Sequence, residues 1–531
     1  MKKSDTNNPR TGGKKDTANE VEGHFSTRTG RWVLFATVLA SSMAFINQST
    51  LNVALPALQS ALGASGSELL WIINGYNLMI ASFLLVGGTL GDRFGRKKIL
   101  CAGIVVFTAA SLACGLSFTT AFLIGARVVQ GIGGALMVPG SLAIITATFP
   151  PDRRGRAIGT WSAATTITTV AGPLIGGVLA EKGLWRFVFF INVPIAIAAL
   201  AALILHVPES IGEGASQKID FTGAGLATLS LVGIAFGFTS APEYGFSDPR
   251  VLFSLIAGGV LLAAFVFVEK KSSHPMLSLA IFRSRSFSGA NLLTFFLYGA
   301  LAAYSLFLSL NIIQIQGYRE TLAGAVFIPF VLLLAGMSRW SGKLVDKRGP
   351  RIPLVAGPSI VGAGFLITGF AGLTGGPADY WTTFLPGIVV FGVGMGLTVA
   401  PLTTTVMSSV TEKLAGTASG INNAASRVAG VLAIAIMGSI ALISFNNSAL
   451  DRISDMELPS GVRYELEKEV SKFGDAGVPE SVPAEFFSEI DRSLKYAFVD
   501  TFRLLMYICA AMAWISAGLA ALLVKPRPRP G

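Results

Sequence analysis

Gly88-Thr-Leu-Gly-Asp92-Arg93-Phe-Gly95-Arg96-Lys97-Lys98 lies between two long apolar runs. A looser copy, Gly342-Lys-Leu-Val-Asp346-Lys347-Arg348-Gly349-Pro-Arg351, follows in the second half of the chain. Gly, Asp, Gly and a final cation keep their relative positions in both. One short basic loop per half implies two related helical bundles, each with this loop on the same membrane face. Such a build suits alternating access, in which related halves rock around a site near the midplane.

Composition agrees. Of 531 residues 52% are hydrophobic and 13% charged, about half the charge of an average soluble chain, which carries roughly 25%. The 60 glycines suit close helix packing in lipid. A net charge of +11 raises the question of nucleic acid, but the cations sit in short loops between apolar runs. That placement encodes topology rather than a nucleic-acid surface. Cys101, Cys114 and Cys509 lie in or beside apolar runs without metal-ligand spacing, and His24, His206 and His274 lie in the tail or at helix ends. No metal site is expected.

A span needs about 20 apolar residues, and that ruler gives about fourteen. Six fall in 32–206, at roughly 32–57, 69–90, 99–117, 119–147, 157–181 and 187–206. Two more, 221–241 and 251–268, occupy an insertion at 207–286. The last six fall in 287–524, at roughly 287–314, 321–342, 352–373, 381–408, 416–445 and 501–524. Residues 1–31 read as a disordered basic tail and 525–531 as a second tail. The expected fold is therefore an all-α polytopic membrane protein of two six-helix bundles with two extra helices between them. A second echo supports duplication: Gly131-Ile-Gly133 and Gly155…Gly159 recur, at one common offset, as Gly392-Val-Gly394 and Gly416…Gly420. Basic residues collect in both tails and in the loops at 91–98, 153–156, 270–285 and 343–351, which places both termini in the cytosol of a cell whose plasma (inner) membrane the chain crosses. The loop 446–500, with twelve acidic residues against six basic, then lies outside. Short amphipathic helices are expected in it at 460–473 and 484–495.

The chain resembles the major facilitator superfamily, and within it the 14-span drug:proton antiporter branch, over nearly its full length. Four stretches carry the resemblance. The loop Gly88…Asp92-Arg93-Phe-Gly95-Arg96-Lys97 is similar to the superfamily signature between helices 2 and 3. Arg127-Val-Val-Gln130-Gly131-Ile-Gly133-Gly134 resembles the intramembrane arginine motif. Gly172-Pro173-Leu-Ile-Gly176-Gly177 is similar to a motif associated with exporters, and Leu184-Trp185-Arg186-Phe187…Phe190-Ile-Asn192-Val-Pro194 to a block of the 14-span branch.

Each motif carries two readings. Asp92 at a helix boundary accepts from a neighbouring helix N-terminus or pairs with Arg93 or Arg96. The resemblance implies a conformational latch built from Gly88, Asp92, Arg93, Gly95, Arg96 and Lys97, with Asp346 and Arg348 in the copy; the alternative is a loop that only sets topology. Arg127 lies deep in span 4, where a cation needs a partner or a water cavity. With Gln130 one turn away it reads as a coupling or binding residue, or as a structural arginine satisfied by carbonyls. Gly172, Pro173, Gly176 and Gly177 make a kinked, thin-walled span 5, either a hinge against the opposite half or a tight packing seam. Asn74, Asn77, Gln314 and Asn422 are the polar span residues best suited to line a substrate cavity. Span aromatics such as Tyr304 and Phe307 are either cavity walls or packing.

One position departs from the branch. Where its first span carries Asp-x-Thr-x-x-Asn-x-Ala-Leu-Pro, this chain reads Asn47-Gln48-Ser49-Thr50-Leu51-Asn52-Val53-Ala54-Leu55-Pro56. Asparagine neither binds nor releases a proton near neutral pH, so the coupling carboxylate the resemblance implies is missing. Glu181 and Asp92 are then the first replacement candidates. Arg127 without an acidic neighbour also implies a preference for neutral, zwitterionic or anionic amphiphiles over dicationic dyes.

No P-loop, nucleophile–base pair or other enzyme signature is present. The leading reading is a monomeric secondary transporter that exports small amphipathic molecules in exchange for protons, with no cofactor beyond the proton gradient. An uncoupled or differently coupled metabolite carrier, and a non-transporting membrane sensor on the same fold, are the alternatives.

Overall fold

The computed structural model describes residues 28–211, 220–272, 275, 279–410, 415–454, 456, 458, 460–479 and 481–526. Most of the N-terminal tail, 527–531 and the side chain of Asp346 therefore lie outside the described residues. Every regular element among those described is helical. The first half runs α1 (Arg28–Leu62), α2 (Gly66–Phe94), α3 (Arg96–Gly115), α4 (Thr120–Thr148), α5 (Pro151–Glu181) and α6 (Asn192–His206), the last led in by the one-turn helix Phe187–Phe190. The inserted pair is α7 (Phe221–Tyr244) and α8 (Pro249–Lys271). The second half runs α9 (Arg285–Leu310), α10 (Ile328–Arg348) with a lead-in helix Glu320–Ala325, α11 (Arg351–Gly369), α12 (Leu385–Ser408), α13 (Ala415–Ser454) and α14 (Ala484–Leu523). Twelve helices among the described residues are long and apolar enough to cross a membrane, thirteen with α2 counted as one span. The fourteenth is α5, whose Arg- and Thr-rich first half dilutes its hydropathy and leaves Ile167–Glu181 as the apolar part.

Helix ends follow local chemistry. α2 opens with a capping box: the Ser65 hydroxyl accepts from the Glu68 amide, and the Glu68 carboxylate accepts from the Ser65 amide at 2.9 Å. Residues 28–31, assigned above to the tail, form the first described turn of α1. The expected loop 446–500 is shorter than read from sequence. α13 continues to Ser454 and α14 starts at Ala484, each 40 residues long, about 60 Å at 1.5 Å per residue and twice the hydrocarbon thickness. Their polar ends project beyond the bilayer, joined by the Arg452–Asp500 ion pair at 2.7 Å. Charge density made these turns look like loop. Between them, among the described residues, lie the helix Ser460–Val470 and the 3-10 turn Phe473–Asp475.

The two halves meet chiefly through α2 against α13 and α5 against the lead-in helix Glu320–Ala325, while α7 packs on both α2 and α13. Leu78, Met79 and Ala81 of α2 form one buried cluster with Leu231 and Ala235 of α7 and Val431 and Ala435 of α13. Trp32 of α1 stacks on His206 at the end of α6, and the amide of Lys525 after α14 donates to Ser286 at the start of α9. These contacts define a terminal face; the described residues between α13 and α14 lie on the opposite, loop face.

Candidate functional site

Midway through the first half, a polar network links α1, α3 and α4. Asn47 and Gln130, both fully buried, exchange amide hydrogen bonds: Gln130 Nε2 donates to Asn47 Oδ1 at 3.3 Å, and Asn47 Nδ2 donates to Gln130 Oε1 at 3.5 Å. Gln130 Nε2 also donates to Ser111 Oγ at 2.6 Å. Arg127, 1% exposed, donates from Nη1 to Gln130 Oε1 at 2.7 Å and from Nε to the Ile72 carbonyl at 3.0 Å. Its guanidinium lies 4.1 Å from the centre of the Tyr76 ring, a cation–π geometry that partly replaces lost hydration. Three of the four coupling candidates are thus joined, but inside packed protein rather than on a cavity wall. Arg127 holds Gln130, and Gln130 holds Asn47.

Glu181 lies elsewhere. At the loop-face end of α5 its Oε2 accepts from Thr321 Oγ1 at 2.6 Å, and Arg319 Nη1 stands 3.7 Å from Oε1. Both partners belong to the second half, so Glu181 ties the halves together. Gln314 reinforces the same closure. From the π-helical turn after α9 its Nε2 donates to Gln59 Oε1 of α1 at 3.1 Å, while Gln59 Nε2 donates to the Lys472 carbonyl at 3.0 Å. Ser60 Oγ donates to Asp475 Oδ1 at 3.0 Å. The segment between α13 and α14 is therefore docked over the seam.

Asp475 gives this docking a pH dependence. Burial pushes its carboxyl above the usual aspartate range, and Glu469 adds to the rise, against the hydrogen bond from Ser60 and the charge of Lys472. A group whose docked pKa is raised favours docking at low pH and loses that contribution as pH rises through the docked value. Intrinsic-rate-corrected hydrogen–deuterium exchange at residues 471–477 should show greater protection near about pH 5 than near about pH 8. Asp475→Asn should remove that difference.

The glycines expected to form a hinge stand at close approaches between helices. A Cβ on Gly172 would lie 2.9 Å from Ser49 Cβ, and one on Gly176 would lie 3.0 Å from the Thr50 carbonyl carbon, both across the α1–α5 contact. Gly177 faces the other half, where a Cβ would lie 2.6 Å from the Glu320 carbonyl carbon and 2.6 Å from Thr321 Cα. Gly324 answers it: a Cβ there would lie 2.6 Å from the Pro173 carbonyl carbon. α5 is pressed backbone-to-backbone between α1 and the lead-in helix.

At the terminal face, Arg96 Nε donates to Asp92 Oδ1 at 2.8 Å and Arg96 Nη1 to the Ala143 carbonyl at 3.1 Å. Glu209, which sequence reasoning missed, caps α3: its carboxylate accepts from the amides of Lys97 at 2.9 Å and Lys98 at 3.2 Å. A carboxylate at a helix N-terminus is favoured by the dipole and the free amides. Gly95, at φ 109°, leaves room for it; a Cβ there would lie 2.7 Å from the Glu209 carboxyl carbon. Gly95→Ala, strained and crowded at once, should lower the melting temperature of the purified protein by several degrees. The Arg96 and Glu209 contacts of this loop are made within the first half. Gly88 lies beside Pro139, Arg93 beside Phe94, and Arg348 is exposed.

Asn422 lines a recess near the terminal face together with Tyr298, Thr403, Met407, Asn423 and Ser426. Its amide donates to Thr294 Oγ1 at 2.7 Å and Asn291 Oδ1 at 3.2 Å. Asn74 and Asn77 are buried instead; neither atom of the Asn74 amide finds a hydrogen-bond partner among the described residues. Asn74 shares its helix face with Leu70, which touches Gly438, and Leu78, which packs beside Val431 and Ala435, so it lies in the seam between halves. Tyr304 and Phe307 are core packing. The principal residue missed is Arg427, deep in α13, which donates from Nη1 to Gln48 Oε1 of α1 at 2.7 Å. A lone charge inside an apolar run is the signal that found Arg127, and it applies equally to Arg427.

Two six-helix halves sealed on one face, with buried polar groups at mid-depth and a recess toward the other, define a secondary membrane carrier. The chain belongs to the Major Facilitator Superfamily, whose family model matches residues 37–434. It is a multi-pass membrane transporter of small molecules and not an enzyme. It is 32% identical over 448 residues to the multidrug resistance protein Stp of Mycobacterium tuberculosis, covering 83% of this chain and 81% of that one. It is 30% identical over 502 residues to the tetracenomycin C resistance and export protein of Streptomyces glaucescens, covering 93% and 92%. A bacterial homolog of the human lysosomal transporter Spinster, in an inward-facing and unoccupied conformation, shares the fold at TM-score 0.63 and 18% identity, covering 93% of this chain and 98% of that one.

Proposed function

We propose that this protein exports small amphipathic molecules across the plasma membrane by alternating access, as a monomer with both termini in the cytosol. The observation that carries the reading is the loop-face seal. Glu181, Gln314, Gly177 and the docked 471–475 segment close one side, while the Asn422 recess lies toward the other. With the basic terminal face in the cytosol this is an inward-facing state, ready to load. The relatives named for drug resistance and export support the direction. Proton exchange is the proposed drive, with Glu181 as the coupling carboxylate: its partners Arg319 and Thr321 belong to the opposite half, so protonation from outside loosens the seal. The Asn47–Gln130 amide pair, lacking any titratable group, favours the second reading of a carrier coupled to another ion.

The test is flux in proteoliposomes with a panel of amphiphiles, with and without an imposed pH gradient. Uphill movement that collapses with the gradient is expected; flux indifferent to it would overturn proton exchange. Asn47→Asp should raise export of cationic dyes in everted vesicles and make it depend steeply on pH. Equal dye export by both proteins would show that position 47 does not set charge preference.

A further inference from the structure

We propose that Arg427 forms the anion-binding subsite of the transport cavity, selecting substrates that carry a carboxylate or similar flat oxyanion on an aromatic body. The inference rests on the export reading and names the substrate class of that site.

Arg427 stands twelve positions into α13, about 18 Å from its start at 1.5 Å per residue, a depth near the bilayer midplane. It belongs to the second half, yet its single hydrogen-bond partner among the described residues is Gln48 Oε1 of the first, at 2.7 Å. Phe45, one turn before Ser49 on α1, presents its ring 5.8 Å from the guanidinium carbon. No ion pair among the described residues includes Arg427 or Arg127. A neutral amide satisfies one of five guanidinium N–H donors, so the charge is held at mid-depth without a counter-charge.

Burial separates the two arginines. Arg127 is enclosed and satisfied by Gln130, the Ile72 carbonyl and Tyr76. Arg427 is only partly buried and stands next to the recess: Asn423, four residues earlier on the same helix face, and Ser426 both line it. Among the described residues the recess is lined by the hydroxyls of Thr403 and Ser426, the amides of Asn422 and Asn423, Tyr298, and the apolar Val406 and Met407, with no acidic side chain. A flat oxyanion entering there would displace the Gln48 carbonyl and take the two-point geometry that guanidinium offers and ammonium does not. The aromatic body would rest against Phe45, whose ring already lies beside the guanidinium. Because Gln48 and Arg427 lie on opposite halves, the substrate would loosen a contact that spans the halves as it binds.

The test measures binding rather than flux, using the full-length protein in nanodiscs and two xanthene probes, anionic fluorescein and cationic tetramethylrhodamine methyl ester. Fluorescein should bind at least about ten-fold more tightly than the ester. Arg427→Gln should weaken fluorescein at least about 30-fold and leave the ester unchanged or tighter. Arg427→Lys keeps the charge and should restore part of the affinity, which separates lost charge from lost fold; Gln48→Ala removes the internal competitor and should tighten fluorescein. Fluorescein bound no better than the ester by the wild type, or equally by wild type and Arg427→Gln, overturns the subsite. Export of other amphiphiles would survive that result. Conversely, charge-selective binding without flux of any probe would sink the export reading and leave the subsite standing.

Discussion

Gly177→Val should abolish transport while leaving a folded, membrane-inserted protein. At this position α5 and the lead-in helix Glu320–Ala325 touch through backbone alone, and Gly324 makes the reciprocal contact on Pro173. An isopropyl group cannot be placed against the carbonyl of Glu320 unless the helices separate. Separation also pulls Glu181 away from Arg319 and Thr321. The variant should therefore favour the state open on the loop face, and flux should fall by at least roughly 100-fold because the cycle cannot return. Spin labels at Lys182 and Leu322, both exposed, should report a longer mean distance in the variant than in the wild type. Gly125 has open space around its missing Cβ, so Gly125→Ala should leave flux and distance unchanged. An unshifted distance in Gly177→Val would mean that the contact is a packing seam without a gating role.

Removing Arg127 should be nearly as damaging, for another reason. Its guanidinium occupies the middle of a fully packed region, fixes Gln130 and through it Asn47, and covers the Tyr76 ring. Arg127→Ala leaves a void and strips Gln130 Oε1 of its shorter hydrogen bond, with an expected loss of about 3 kcal/mol of stability and of at least roughly 100-fold in flux. Arg127→Lys should recover little flux, because one ammonium cannot reach both the Ile72 carbonyl and Gln130 with the planar fork geometry. Parallel melting and flux measurements separate the two contributions: a lysine variant that melts like wild type yet does not transport assigns the network a role in conformational change. Wild-type behaviour of Arg127→Ala would instead fit a sensor that does not cycle.

Several features were legible because they are properties of a segment by itself. A run of about 20 apolar residues must be a span, and short loops rich in Lys and Arg encode orientation, so the span count and the half-to-half duplication needed no contacts. The repeated loop around Asp92 and the glycines of span 5 were legible for the same reason: φ 109° at Gly95, or a missing Cβ at Gly177, is a demand written into a single position. Segment reasoning failed where helices left the bilayer. The ends of α13 and α14 are charged, and nothing local distinguishes a projecting helix from a loop.

The sequence by itself determined that this is an all-helical membrane carrier of two halves, where its basic loops lie, and that asparagine stands at position 47, where the resemblance implies aspartate. Tertiary structure alone decided which polar groups meet. It buried Arg127 behind Gln130, put Glu181 and Gln314 in the seal, brought Glu209 onto α3, and set Arg427 against Gln48 across the halves. The physical reason is that hydrophobicity and loop charge act on each span separately, whereas the partner of a buried polar group depends on helix rotation and pairing, set by packing between segments distant in the chain.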